Sequence, residues 1–413
     1  MTDNTGHAVL HGLRVVEFPA FVAAPLGGLT LAQLGADVIR VDPVGGNIDI
    51  GRWPLNAAGR SLYWASLNRG KRSVEINVRK PEGKRLLHEL ITAPGDGAGI
   101  FITNLPVDGE LAYEALAKTR PDLIMVQLAG SPDGANALDY TVNCAVGFPF
   151  VTGDARSVPV NHVIPMWDMA AGLSIALAVL AADRRRRDTG EGQLIRLALS
   201  DVAMAMASNL GYIAEAEVND TDRQPDGNFL FGAYGDAFHT ADGRHVMVVA
   251  ISRRQWQALV KAIGVGDPLT QAAAAIGYQL DDEGGRYEAR GLISAFLKPW
   301  FAKRTLKEIE AAFTDPSILW APYRTFRQML AEDKRCSEWN PMFRRVDHPG
   351  AGTFLTATSP LAFSAAERVA PGIGPQLGQH GETVLREVLG VDEARYSSLV
   401  ASGIVGRGVK ASQ

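Results

Sequence analysis

The sequence predicts an α/β fold built on a parallel sheet, followed by a smaller α+β domain. Three observations carry this reading. Short strands rich in β-branched residues alternate with helix-compatible segments as far as about residue 202. The alternation gives way to a stretch rich in Asp, Asn and Gly over residues 219–235, which reads as a linker. Beyond it come a hairpin signal and several helices.

The first strand is residues 13–18, Leu-Arg-Val-Val-Glu-Phe. A helix over 25–34 ends at Gly35, a C-cap signal, and a second strand covers 37–42. Strand, helix and strand make a βαβ unit, which favours a parallel sheet. A third strand is expected over 72–78, then a helix over 81–92 with Pro81 in its first turn. Strands at 99–103 and 123–128 flank a helix over 109–118. An apolar helix follows over 170–182, then the turn Thr189-Gly190-Glu191-Gly192-Gln193, the strand 194–197 and a helix over about 201–217. The hairpin spans 237–249 around Asp242-Gly243, and helices are expected over 253–263, 287–297 and 305–313. From residue 342 the pattern is loops and one terminal helix, 383–389, too little to form a core alone. The resulting organisation is 1–218 for the N-terminal part of the large domain, 219–330 for the linker and small α+β domain, and 331–413 for a segment returning to the large domain.

Bulk properties narrow the function. A chain of 413 residues exceeds what one core usually holds. A net charge of -4 gives no general attraction for nucleic acid or an anionic membrane, so an anionic ligand needs a local site. The longest strongly apolar stretch, residues 169–182, is shorter than the ~20 residues that cross a bilayer. Residues 1–8 have no apolar signal core. Cys144 and Cys336 are far apart, in no metal or redox spacing, which points to the reducing cytoplasm and to no metal site. Cys144 lacks a nucleophile elbow and is expected to pack.

Asp168 is the leading candidate for chemistry. It stands where irregular chain turns into the apolar helix, as a nucleophile at the mouth of a site or as that helix's N-cap. Asp139 is either its partner in a carboxylate pair or a helix-capping Asp. His162 lies shortly before Asp168 and is a substrate contact or a structural residue. Asn68-Arg69-Gly70-Lys71-Arg72-Ser73 sets cations at one end of a strand, and Arg79-Lys80 follows at the other. This is a phosphate clamp or a solvated turn. Dinucleotide binding is disfavoured, because the Gly-x-Gly-x-x-Gly spacing is absent and Gly27-Gly28 fall inside a helix.

These pieces, in this order, resemble the family III CoA transferases. The matching stretches are residues 12–17, Ala24-Pro25, residues 34–41, residues 68–73, Pro81-Glu82-Gly83, Asn104, Asp168 with Gly172, and residues 189–193. Further stretches, among them residues 21–28, 101–104, 160–163, 219–223 and 320–325, resemble a subgroup that moves CoA within one dicarboxylic acid. The resemblance implies a Rossmann-like large domain built from both ends of the chain, a small middle domain and an interlocked homodimer. It implies Asp168 as nucleophile and CoA contacts from Asn68, Arg69, Lys71, Arg72, Arg79 and Asn104. It implies an acyl-CoA substrate, with coenzyme A arriving as part of it and no permanently bound cofactor. A racemase would need a base on each face of the α-carbon, and Leu138 stands where racemases carry one. Val22 stands where many acid-exchanging members have Gln.

The expected chemistry follows from the residue types. A carboxylate attacks the thioester, giving a mixed anhydride and then an enzyme–CoA thioester. Backbone N–H groups at the helix start near Asp168 are expected to stabilise developing negative charge. For internal transfer, His162 and Arg52 are candidates to hold the second carboxylate. Transfer between two separate acids is the alternative.

Overall fold

A computed structural model describes residues 8–155 and 157–408. Its strands are β1 Arg14–Phe18, β2 Asp37–Asp42, β3 Arg72–Glu75, β4 Ile100–Thr103, β5 Ile124–Ala129, β6 Gln193–Ala198, β7 Tyr234–His239, β8 His245–Ala250, β9 Leu319–Pro322, β10 Phe343–His348 and β11 Gly352–Ala357. Its helices are α1 Ala23–Ala32, α2 Leu62–Leu67, α3 Pro81–Thr92, α4 Tyr113–Thr119, α5 Asp139–Ala145, α6 Met166–Thr189, α7 Leu199–Asn209, α8 Tyr212–Asn219, α9 Arg253–Ile263, α10 Gly266–Ala275, α11 Glu283–Glu288, α12 Arg290–Ala302, α13 Leu306–Ala312, α14 Phe326–Glu332, α15 Gly381–Leu389 and α16 Glu393–Ala401.

Strands β1 to β6 form one parallel sheet in the order β3-β2-β1-β4-β5-β6. The order reverses at β1, the topological switch point beside which α/β sheets bind ligands. The strands β1 to β5 are mostly buried, as expected where helices cover both faces of such a sheet, and they bury the charged Glu17, Arg40, Asp42 and Glu75 along with their apolar residues. Val384, Leu385, Leu399, Ile404 and Val405 from the C-terminal segment complete that core.

α1 crosses α6 at close range, and glycines make room for it. A Cβ on Gly27 would come within 2.7 Å of Ile175, and one on Gly172 within 2.8 Å of Leu26. α6 is longer than its apolar stretch. It begins before Asp168, continues through Arg184–Arg187 and stops at Gly190, whose φ of 75° closes the helix in the left-handed conformation.

The chain divides into two compact units: Met1–Val146 with His162–Val218 and Lys334–Gln413, and Gly147–Asn161 with Asn219–Asp333. The segment 147–161, read from sequence as part of the large domain, belongs to the second unit, where the Gly153 carbonyl accepts from the Gly227 amide at 2.9 Å. In that unit β7-β8-β9 form an antiparallel sheet over a core containing Trp256, Leu259, Ile293, Leu297 and Phe301. Other differences are local. The helix expected over 109–118 is a 3-10 turn, Gly109–Leu111, and then α4, because Ala112 is extended. The helix expected over 201–217 breaks at Gly211, φ 79°. The β10–β11 hairpin, α2, α5, α10 and α16 carried no sequence expectation. Cys144 is exposed rather than packed.

Candidate active site

A cavity of about 670 Å³ opens in the large unit, at the C-terminal ends of β1, β4 and β5. Its charged lining residues, among those described, are Arg52, Asp139 and Asp168. Asp168 lies inside the first turn of α6, after the N-cap position at Pro165. The cap reading therefore fails for Asp168 and holds for Asp139. Asp139 Oδ2 accepts from the amides of Trp167 at 2.7 Å and Asp168 at 3.0 Å, satisfying two donors that a helix start leaves open. Those two amides are thus occupied, and the expectation that they stabilise a developing oxyanion is corrected. The other oxygen of Asp139 is buried and has no hydrogen-bond partner among the described residues.

Asp168 forms no ion pair among the described residues. Burial pushes its carboxyl up to about 7, the Asp139 charge pushes the same way, and Arg52 opposes them. A carboxylate held this high is poorly stabilised as an anion and ready to attack an electrophile.

Arg52 follows the 3-10 turn Ile48–Gly51. Its amide donates to the Asp49 carbonyl at 3.2 Å, and its own carbonyl accepts from Ser61 Oγ at 2.5 Å. The guanidinium lies 5.7 Å from the Phe21 ring centroid and 5.5 Å from that of Tyr63. Phe21 has a φ of 60°, a strained value for a bulky side chain. The surroundings hold it there: Tyr63 Oη donates to the Phe21 carbonyl at 2.9 Å, and Asn104 binds both the amide and the carbonyl of Ala20 at 2.8 Å. Tyr63 and the loop residues 134–137 carried no sequence expectation, Phe21 entered only through the family-like stretch 21–28, and Leu138 only as the residue standing in place of a racemase base. Nothing local in the sequence announces a left-handed Phe, and α2 is marked locally by its N-cap alone, Ser61, which accepts from the Trp64 amide at 3.0 Å.

Of the expected CoA-contact residues, Asn68 and Lys71 receive a correction. Both are buried. Lys71 Nζ donates to Glu17 at 2.6 Å, to the Pro25 carbonyl at 2.7 Å and to Asn68 Oδ1 at 3.1 Å. Asn68 Oδ1 also accepts from Arg40, which binds Asp42 and Asp49. Side chains closed off from solvent do not meet a CoA phosphate. Arg72 is paired with Asp37 and Glu387. Arg69 differs: it donates to the Ala357 and Ser66 carbonyls, has no acidic partner among the described residues, and burial pushes it down to about 10. Arg79 is exposed. Asn104 lines the cavity. His162 is half-buried, its ring 6.3 Å from that of Trp167, outside the cavity wall.

Comparison with known proteins gives the family. Residues 10–381 match the model of CoA-transferase family III. The chain belongs to that family. It is an enzyme that transfers CoA. It is 53% identical over 399 residues to the 2-methylfumaryl-CoA isomerase of Chloroflexus aurantiacus, covering 96% of this chain and 98% of that one. It is 26% identical over 411 residues to the succinyl-CoA:mesaconate CoA-transferase of Haloarcula marismortui, covering 93% and 97%. A CAIB/BAIF family protein from Brucella suis shares the fold, with a TM-score of 0.77 at 24% identity over 92% of this chain and all of that one.

Proposed function

We propose that the enzyme moves CoA between the two carboxyl groups of one acid, converting 2-methylfumaryl-CoA to 3-methylfumaryl-CoA in the cytoplasm. One observation carries the reading. Asp168 is a carboxylate raised to about 7 on a cavity wall, with no ion-pair partner among the described residues, in a chain 53% identical to an isomerase of that name. An Asp168 oxygen attacks the thioester carbonyl, the C–S bond breaks, and a mixed anhydride and CoA thiolate result. The thiolate attacks the Asp168 carbonyl, the anhydride C–O bond breaks, and 2-methylfumarate (mesaconate) leaves as a dianion. Its other carboxylate then attacks the aspartyl–CoA thioester, and the steps run in reverse. No net proton is taken up or released. Holding the acid in place replaces a bimolecular encounter, worth up to ~7–11 kcal/mol.

Transfer between separate acids is the second reading, favoured by relatives such as the succinyl-CoA:mesaconate CoA-transferase. Labelled free mesaconate separates the two. Internal transfer predicts interconversion of the thioesters with little label entering them. Label entering as fast as isomerisation favours the second reading.

For CoA, Arg69 is the strongest contact of the basic segment, since a guanidinium buried without a carboxylate suits a phosphate. Arg79 is exposed beyond the other end of β3, and Asn104 keeps one amide hydrogen beyond its bond to Ala20. Neutralising Arg69 or Arg79 is expected to raise KM for the CoA ester more than it lowers kcat. An interlocked homodimer is supported by apolar side chains exposed on α6, α7 and α8: Leu173, Leu177, Met204, Ile213 and Val218. Light scattering is expected to give twice the chain mass of 44.3 kDa. An active monomer at micromolar concentration contradicts it.

A further inference from the structure

We propose that Asn143 is a positioning residue for the reaction: through the indole of Trp167 it fixes the roll of the first turn of α6, and so the place of the Asp168 carboxylate. This rests on the reading of Asp168 as the nucleophile. Asn143 Oδ1 accepts from Trp167 Nε1 at 3.0 Å, and both residues are buried. A buried indole N–H needs such a partner. Asn143 follows Asp139 by one turn of α5, on the same face of that helix. The two residues therefore grip the start of α6 side by side.

The first turn of α6 needs that grip. Farther along, packing holds the helix, with Ala171, Ile175, Val179 and Ala182 buried in succession. At the start, Pro165 supplies no side-chain cap and Met166 is exposed. The first amides of a helix have no partner within it, and helix ends open most easily. The nucleophile stands in this turn. Asp168 has to attack a thioester carbonyl and then present its own carbonyl to the CoA thiolate. Both steps require the group to be held within about 0.5 Å of its working position.

Asp139 alone leaves one motion open. It receives the amides of Trp167 and Asp168 on the same oxygen, Oδ2. A turn tied at one point can pivot about that point. The indole bond to Asn143 is a second tie, made by the residue next to the nucleophile. Two separate ties stop the pivot. The second tie is also neutral. It places the carboxylate without adding a charge to the field around it, whereas Asp139 does both.

The test compares Asn143→Leu, Trp167→Phe and the double variant with the unmodified enzyme. The readouts are kcat, KM and the hydroxylamine-trapped modification of Asp168 at saturating mesaconyl-CoA, followed by mass spectrometry. In each single variant kcat and the trapping rate are expected to fall about 10- to 100-fold, with KM changed less than about 3-fold. Every folded chain is still expected to become modified in the end. The double variant is expected to be no more than about 2-fold slower than the slower single variant, because both singles break the same bond. The acidic limb of kcat/KM is expected to stay in place, because no charge has been removed. A native trapping rate with fewer modified chains marks a folding role only and overturns the proposal. Losses that multiply in the double variant also overturn it. If Asn143→Leu does not fold, Trp167→Phe decides alone, and an unchanged trapping rate overturns the proposal. An unmodified enzyme that shows no modification of Asp168 removes the nucleophile reading and the proposal together, whereas equal rates of modification in all the proteins remove the proposal alone.

Discussion

Two clusters of buried charge in the large unit are built in opposite ways. Near β1 and β2, Glu17 meets Lys71 at 2.6 Å, and Arg40 meets Asp42 at 2.8 Å and Asp49 at 3.0 Å, all with side chains shut off from solvent. Asn68 Oδ1 joins the two groups. On the cavity wall Asp139 and Asp168 stand together, and neither forms an ion pair among the described residues. The first cluster pairs each of its three carboxylates with one of its two cations and fixes the chain that leads to Arg52. The second is left frustrated, and burial keeps Asp168 near 7. Paired buried charge is architecture, whereas unpaired buried charge is available for reaction.

The sharpest way to break this contrast is to remove one member of each cluster. Asp168→Asn is expected to cut turnover by at least on the order of 10^3, because the covalent route is lost, while circular dichroism stays native. Near-normal turnover would end the nucleophile assignment. Lys71→Met is expected to act on stability, by about 3–5 kcal/mol in a denaturant titration, since Glu17 is left buried without its cation. The double variant Lys71→Met with Glu17→Leu is expected to recover much of that loss. If Lys71→Met instead leaves stability intact and raises KM for the CoA ester, Lys71 binds CoA and the contrast is wrong.

Smaller effects refine the acidic pair. Asp139→Asn retains an acceptor oxygen for the Trp167 and Asp168 amides but removes a charge that raises Asp168. The acidic limb of kcat/KM, expected near pH 7, moves to lower pH. An unmoved limb means that Asp139 acts only as a cap. Asp168 also links stability to pH. Its folded pKa lies above the ordinary value of 3.8, so the protein binds this proton more tightly folded than unfolded. The associated stability is full below about pH 4 and is lost as pH rises through about 7. Asp168→Asn is therefore expected to raise Tm by a few degrees at pH 8 relative to the unmodified protein, with the gain vanishing toward pH 4. A gain that grows toward acid pH contradicts the raised pKa.

What the sequence disclosed was local. β2, α3 and α9 fall where strand pattern, an N-terminal Pro81 and the Ser252–Gln255 capping box set them. Asp168 was legible as the candidate carboxylate because it opens an apolar helix. Its partner's task was less so: Asp139 caps α6 from a separate helix, a contact that only the folded chain creates. The basic segment 68–72 illustrates a second limit. Sequence shows where cations are, but the βαβ packing decides that Lys71 turns inward to Glu17 while Arg69 stays without an acid. Arg52 was singled out only as a cation of the right kind. Its setting between Phe21 and Tyr63 depends on a left-handed Phe21, which no local pattern marks, and on α2, a six-residue helix marked only by its Ser61 cap.

The central claim is that the unpaired carboxylate of Asp168 carries CoA covalently. Mass spectrometry of the peptide containing Asp168 tests it most directly, after borohydride treatment of enzyme with and without mesaconyl-CoA. The account predicts reduction of Asp168 only with substrate present, and none in Asp168→Asn. Full turnover with Asp168 unmodified, or the adduct found on another residue, would contradict it.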